Sequence, residues 1–121
     1  MNYTDFLALN RGADIALDSL LWSGCNSTFD AIACGLPVVT LPGPMMRGRH
    51  SYAILKMMGL DETIARDEDH YVEIAARLGK DGAWRRHIAE NVEEMRSRVF
   101  NDETPVRALE DFFERVCGPA S

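Results

Sequence analysis

Gly24-Cys25-Asn26-Ser27-Thr28-Phe29-Asp30-Ala31-Ile32-Ala33-Cys34-Gly35-Leu36-Pro37-Val38-Val39-Thr40-Leu41-Pro42-Gly43 decides the fold. Helix signals start at Asn26 or Ser27 and stop at Gly35, a residue suited to the position just past a helix end. Pro37 to Leu41 then reads as a strand, β-branched, apolar and bounded by breakers. Pro42-Gly43-Pro44 forces a loop. Upstream, Ile15-Ala16-Leu17 is a short apolar run ending at Asp18, consistent with a buried strand. The turn Ser19 to Cys25 joins it to the helix. Before it, Tyr3, Phe6, Leu7 and Asn10 share one face of a short helix over 3–10.

Downstream, the spacing predicts a helix from His50 to Met58 closed by Gly59, then a short strand at Thr63-Ile64-Ala65. Tyr71, Ile74, Ala75 and Leu78 follow helical spacing after an Asp67 cap, and Ile88, Val92, Met95 and Val99 keep a 4-3-4 rhythm. Thr104 then Pro105 reads as a cap and a first helical residue. Val106, Leu109, Phe113 and Val116 form a last stripe, and all these stripes are expected to pack. Strand–helix–strand–helix–strand followed by helices predicts an α/β fold: a partial Rossmann-like parallel sheet of about three strands, with flanking helices and a helical C-terminus. Residues 1–65 form the βαβ-type part and 66–121 the helical part.

The composition is that of one ordinary globular unit, with 121 residues, 46% hydrophobic and 26% charged. The net charge of −6 arises entirely beyond residue 60, and no basic stripe interrupts it. Nucleic acid is therefore not an expected partner. No apolar run approaches the roughly 20 residues that span a bilayer. The start lacks a signal-peptide pattern, so no membrane and a cytoplasmic location are expected. Cys25, Cys34 and Cys117 show no CxxC spacing, and His50, His70 and His87 form no metal pair, so no metal and no cofactor are expected.

In parallel sheets ligands sit beyond the carboxyl ends of the strands, which points to the loops after Asp18 and Leu41. In the first, Gly24 lets backbone come close to a ligand, and Asn26, Ser27 and Thr28 offer polar side chains. The helix beginning there aims unpaired N–H groups at the loop, an arrangement suited to a diphosphate. Asp30, one turn in, is placed to accept from ribose hydroxyls. Ser27-x-x-Asp30 also fits a capping box. Cys25 sits in this loop as a candidate nucleophile by type, but no Cys/His dyad is readable from the spacing. The second loop sets Arg47, Arg49 and His50 at a helix start. Such arginines meet a phosphate, or brace backbone carbonyls. His50 is a proton carrier by type, without a visible orienting partner.

Ala13 to Asp18, Gly24 to Gly43, Arg47-Gly48-Arg49-His50 and Gly59-Leu60 resemble the C-terminal part of the catalytic region of the O-GlcNAc transferase/SPINDLY family. That family comprises GT-B glycosyltransferases that often follow tetratricopeptide repeats. The resemblance implies a single partial domain, the C-terminal half-lobe of a GT-B fold. It implies a UDP-sugar donor, an acceptor protein hydroxyl, and a phosphate loop whose amides and hydroxyls hold the diphosphate. Gly24 matches the family's loop glycine. Cys25, Asn26 and Ser27 stand where the family usually has His-Thr-Thr. Asp30 falls on the ribose aspartate, and Arg49 on an arginine that braces the site. The family's N-terminal lobe and its leaving-group lysine have no counterpart here; Lys56 and Lys80 lie in predicted helices. Two functions follow as expectations: a glycosyltransferase fragment inactive alone, whose partners are a nucleotide-sugar and the missing lobe or an acceptor protein; or a standalone module with weak nucleotide binding or a role as a homo-oligomer.

Overall fold

The computed structural model describes residues 1–118; the last three positions of the helical part read as 66–121 lie outside the described residues. Helix α1 (Tyr3–Gly12) opens on a capping box, in which Asn2 accepts from the Asp5 amide and Asp5 accepts from the Asn2 amide. Strand β1 (Ala16–Leu17) leads through the loop to α2 (Asn26–Ala33), and β2 (Val38–Val39) follows. The strands pair in parallel, Ala16 against Val38 and Leu17 against Val39. Between them α2 ends where Gly35 turns to φ 77°, a conformation that glycine adopts without strain. The Gly35 and Leu36 amides then return to the carbonyls of Ile32 and Ala31, which satisfies two orphan acceptors.

The expected third strand is a correction. Thr63-Ile64-Ala65 makes only a single parallel bridge, Thr40 against Ile64. The Ile64 amide is committed to the Asp61 carbonyl of a turn, and the chain bends at Arg66 and Asp67 to enter the next helix. Only one residue is left free to join the ladder, so the sheet has two strands.

Helix α3 (His50–Met58) ends at Gly59. Asp67 caps α4 (Glu68–Lys80) by accepting from the His70 amide at 2.8 Å, and Asp81 caps α5 (Gly82–Met95) by accepting from that of Trp84 at 3.0 Å. A 3-10 turn over Arg96–Arg98 carries the α5 stripe on to Val99. The cap expected at Thr104 is also corrected. Helix α6 (Thr104–Cys117) already includes Thr104, and Asp102 accepts from its amide at 2.9 Å. Pro105, lacking an N–H, follows where helices tolerate it. Hydrogen bonds from Thr104 hold the Asp102 carboxyl below its ordinary pKa.

Neighbouring strand side chains point to opposite faces, and β2 puts both into core. Val38 packs with Ala31, Ile32, Ile54, Leu55, Met58 and Val92. Val39 packs on the other face with Ala65, Ile74, Leu78 and Ile88. Helices therefore cover both faces of β2, as a buried parallel strand requires. The stripe on α6 departs from expectation: Val106, Leu109, Phe113 and Val116 are each more than half exposed. Helical spacing reports an apolar face, and packing needs a neighbour that the described residues do not supply.

Leu78 is fully buried and Phe113 is 53% exposed, although both occupy helical stripes. Leu78→Ala should cost about 2–5 kcal/mol by the removal of packed methyl groups. Phe113→Ser should change stability by no more than about 0.5 kcal/mol. Urea denaturation of the two variants checks the contrast, and equal losses would show that α6 packs in solution.

Candidate functional site

The site begins at the residue that ends β1. Asp18 donates its amide to the Val39 carbonyl at 2.9 Å, and its own carbonyl accepts from the Tyr71 hydroxyl of α4 at 2.9 Å. Its carboxylate accepts three more bonds: from the Gly24 amide at 2.7 Å, the Ser23 hydroxyl at 2.8 Å and the Thr40 hydroxyl at 2.7 Å. Ser23 and Ser51 are buried and joined by two contacts of 2.9 Å, and Ser51 meets the Thr28 hydroxyl at 2.7 Å. Asp18, Ser23, Thr40, Ser51 and Tyr71 were not among the residues expected at the site. The usable signal was the position of Asp18 at the carboxyl end of a parallel strand. Burial, with the Asp18 charge beside it, raises the Tyr71 phenol above its ordinary pKa.

The hydroxyl cluster seats the amino end of α2. A Cβ on Gly24 would lie 2.6 Å from Ser27 Oγ and 2.7 Å from Thr28 Oγ1, so the backbone approaches there as only glycine allows. Cys25 precedes the helix and is exposed, and no side chain caps the first turn. Among the described residues no acceptor meets the amides of Asn26, Ser27 and Thr28. The Ser27–Asp30 capping box is therefore not formed. Asp30 accepts instead from the Tyr3 hydroxyl at 2.7 Å, a bond that raises the Tyr3 pKa. Asn26 and Ser27 face solvent, whereas the Thr28 side chain is buried against Ser51. A cleft of about 270 Å³ lies beside this turn, lined by Asp18, Ser19, Gly24, Ser27 and Thr28, with α1 along its other wall.

The second loop is tied to the first: the Ser23 amide donates to the Arg47 carbonyl at 2.8 Å, and Gly48 leaves room for the Leu21 carbonyl. Arg49 donates to the Gly43 carbonyl at 3.0 Å and lies over the Tyr52 ring at 4.6 Å. Arg47 lies over the exposed Trp22 ring at 5.8 Å and contacts the Met45 sulfur. His50 is the first residue of α3. The structure thus joins Gly24 to Thr28 around one turn, sets Asp30 on the α1 side, and commits both arginines to groups within the chain.

A family model for glycosyl transferase family 41 matches residues 6–108. The chain belongs to glycosyl transferase family 41. Among family 41 relatives, it is 37% identical over 68 residues to a probable UDP-N-acetylglucosamine–peptide N-acetylglucosaminyltransferase SPINDLY of Petunia hybrida, covering 56% of this chain and 7% of that protein. It is 33% identical over 88 residues to the UDP-N-acetylglucosamine–peptide N-acetylglucosaminyltransferase of Caenorhabditis elegans, covering 73% of this chain and 7% of that one. A solved mutant of Thermobaculum terrenum O-GlcNAc transferase superposes with a TM-score of 0.82 at 38% identity, over 95% of this chain and 22% of that structure. The resemblance read from the sequence holds, and the fold corresponds to part of the catalytic region of a family 41 enzyme. The chain spans 7% of each of the two curated relatives and 22% of the solved structure.

Two outcomes test the site's construction. Gly24→Ala displaces the Thr28 hydroxyl from Ser51 and should cost about 1–3 kcal/mol, the range for a buried polar group left unpaired; urea titration measures it. The raised Tyr71 pKa means that the folded state holds this proton more tightly than the unfolded chain does. Its contribution is full below about pH 10, and is lost as pH rises through the folded value. Tyr71→Phe should therefore flatten the alkaline fall of thermal stability relative to the parent.

Proposed function

We propose that this chain supplies the diphosphate- and ribose-binding loop of a UDP-sugar-dependent family 41 glycosyltransferase acting on protein hydroxyls. The observation that carries the reading is the open amino end of α2, where the amides of Asn26, Ser27 and Thr28 meet no acceptor among the described residues. Such amides, with the positive end of the helix dipole, attract a diphosphate without any metal. Cys25, Asn26 and Ser27 surround them at the exposed rim. Thr28 contributes its amide, since its hydroxyl is engaged with Ser51. Asp30 accepts from ribose hydroxyls once Tyr3 yields its place. Arg49 braces the Pro42-to-His50 loop, and Arg47 and His50 support it from the rim.

Sugar transfer also needs stabilisation of the departing UDP and an acceptor held in a closed cleft. In this reading those elements lie in the parts of family 41 proteins that this chain does not match, and the chain alone binds nucleotide without turnover. The exposed α6 stripe supports a second reading, a non-catalytic module that self-associates through that face.

Calorimetric titration with UDP tests the first reading, with heat expected below millimolar ligand. Asp30→Ala should weaken UDP about tenfold, the scale of lost hydrogen bonds to a charged group, and should leave a 2′,3′-dideoxy nucleotide unaffected. An equal loss for both nucleotides would refute the ribose assignment. Sedimentation that shows dimers of the parent and monomers of Phe113→Ser would favour the second reading.

A further inference from the structure

The amino end of α2 is aimed without a side-chain cap, so something else must fix its direction. Gly24 is clamped through both of its peptide groups. The N–H of the Ser23–Gly24 peptide is held by Asp18 Oδ1 at 2.7 Å, and the carbonyl of the Gly24–Cys25 peptide lies 3.1 Å from Ser23 Oγ and 3.2 Å from Ser51 Oγ. A rotation of either peptide would change the direction in which the chain enters α2. We propose that Asp18 is the positioning residue of the diphosphate turn, fixing the Gly24 peptide and through it the direction of the α2 amides. The inference rests on the diphosphate reading above and adds to it a residue that touches no ligand.

The proton order of the cluster supports this role. An ionised carboxylate accepts and never donates, so the Ser23 and Thr40 hydroxyl protons are both directed to Asp18 Oδ2. Charge-assisted bonds are the stronger ones, which settles the single Ser23 proton there. Ser23 Oγ is then free to accept from the Ser51 amide at 2.9 Å. The Ser51 hydroxyl can then close on the Gly24 carbonyl, and the Thr28 hydroxyl on Ser51. One acceptor-only group thus sets the direction of a chain that ends on the Gly24 carbonyl, in the peptide next to the one Asp18 holds. The tether is rigid at its root, because the Asp18 amide and carbonyl are held by Val39 and Tyr71.

Asp18 also stands as a negative charge beside a site proposed for an anion. If it acted through charge alone, its removal would tighten UDP; if it positions, its removal weakens UDP. The test therefore measures UDP affinity by calorimetry for the parent, Asp18→Ala and Asp18→Asn, and amide exchange at Gly24 by NMR. Asp18→Ala should lose about tenfold or more in affinity. Its Gly24 amide should exchange at least about tenfold faster while that of Ile32 is unchanged. Asp18→Asn keeps an oxygen for the Gly24 amide but turns an N–H2 toward the Ser23 and Thr40 hydroxyls, so its loss should be smaller than that of Asp18→Ala without full recovery. Equal or tighter UDP binding by both variants overturns the proposal. If the parent itself does not bind UDP, the diphosphate reading fails. Gly24 exchange then decides the Asp18 role alone: faster exchange in Asp18→Ala upholds the clamp, and unchanged exchange overturns it. Should Asp18→Ala not fold, the Gly24 amide proton of Asp18→Asn carries the decision: an upfield move on loss of the acceptor's charge supports the clamp, and an unmoved resonance overturns it.

Discussion

The Asp18 carboxylate accepts from Gly24, Ser23 and Thr40, while its main chain is bonded to β2 and α4. A partly buried charge is costly unless its oxygens are satisfied. Among the described residues no cation pairs with it, so these hydrogen bonds offset the desolvation. The consequence is geometric. Hydroxyls from the loop and from Thr40, just after β2, converge on one side chain, and through Ser23 they extend to Ser51 in α3 and Thr28 in α2. The β1 terminus, β2 and three helices are thereby held in one frame at the carboxyl edge of a sheet only two residues deep.

That frame shows why some of the fold was legible and some was not. Periodicity and caps are local, and they gave α3 its limits at His50 and Met58 and α4 its Asp67 cap. The β-branched, apolar run from Pro37 to Leu41 announced a strand, which the fold then buries on both faces at Val38 and Val39. The Asp18 cluster pairs residues 22 and 53 positions apart, and no local pattern carries such information. Thr63 to Ala65 had strand composition, but the neighbouring turn and helix entry left too little extended backbone. Ser27 and Asp30 had capping-box spacing, yet Tyr3 from another helix took the Asp30 oxygen. In the first case adjacent turns overrode strand composition, and in the second a contact distant in sequence overrode a capping pattern.

The site's departure from the family pattern gains a physical meaning in this frame. The loop has Cys25, Asn26 and Ser27 where the resemblance leads one to expect His-Thr-Thr, and the Thr28 hydroxyl is turned inward. Of the hydroxyls in the turn only that of Ser27 remains at the exposed rim. In the proposed reading a ligand here depends mainly on main-chain amides, whose direction is a property of the backbone. A substitution in the loop that preserves the backbone changes the rim, while one that moves Gly24 changes the site itself.

The same reasoning bears on charge. Residues 1–60 are balanced and the acidic excess lies beyond them. Arg49 is committed to the Gly43 carbonyl and the Tyr52 ring, and Arg47 to Trp22. The Arg49 guanidinium is thereby engaged within the chain, while Arg47 stays at the exposed rim. In the proposed reading, attraction for an anion comes mainly from three amides and a helix end, whose influence fades within about one turn. Under that reading affinity depends on alignment more than on net charge, which is why the proposed clamp at Gly24 matters.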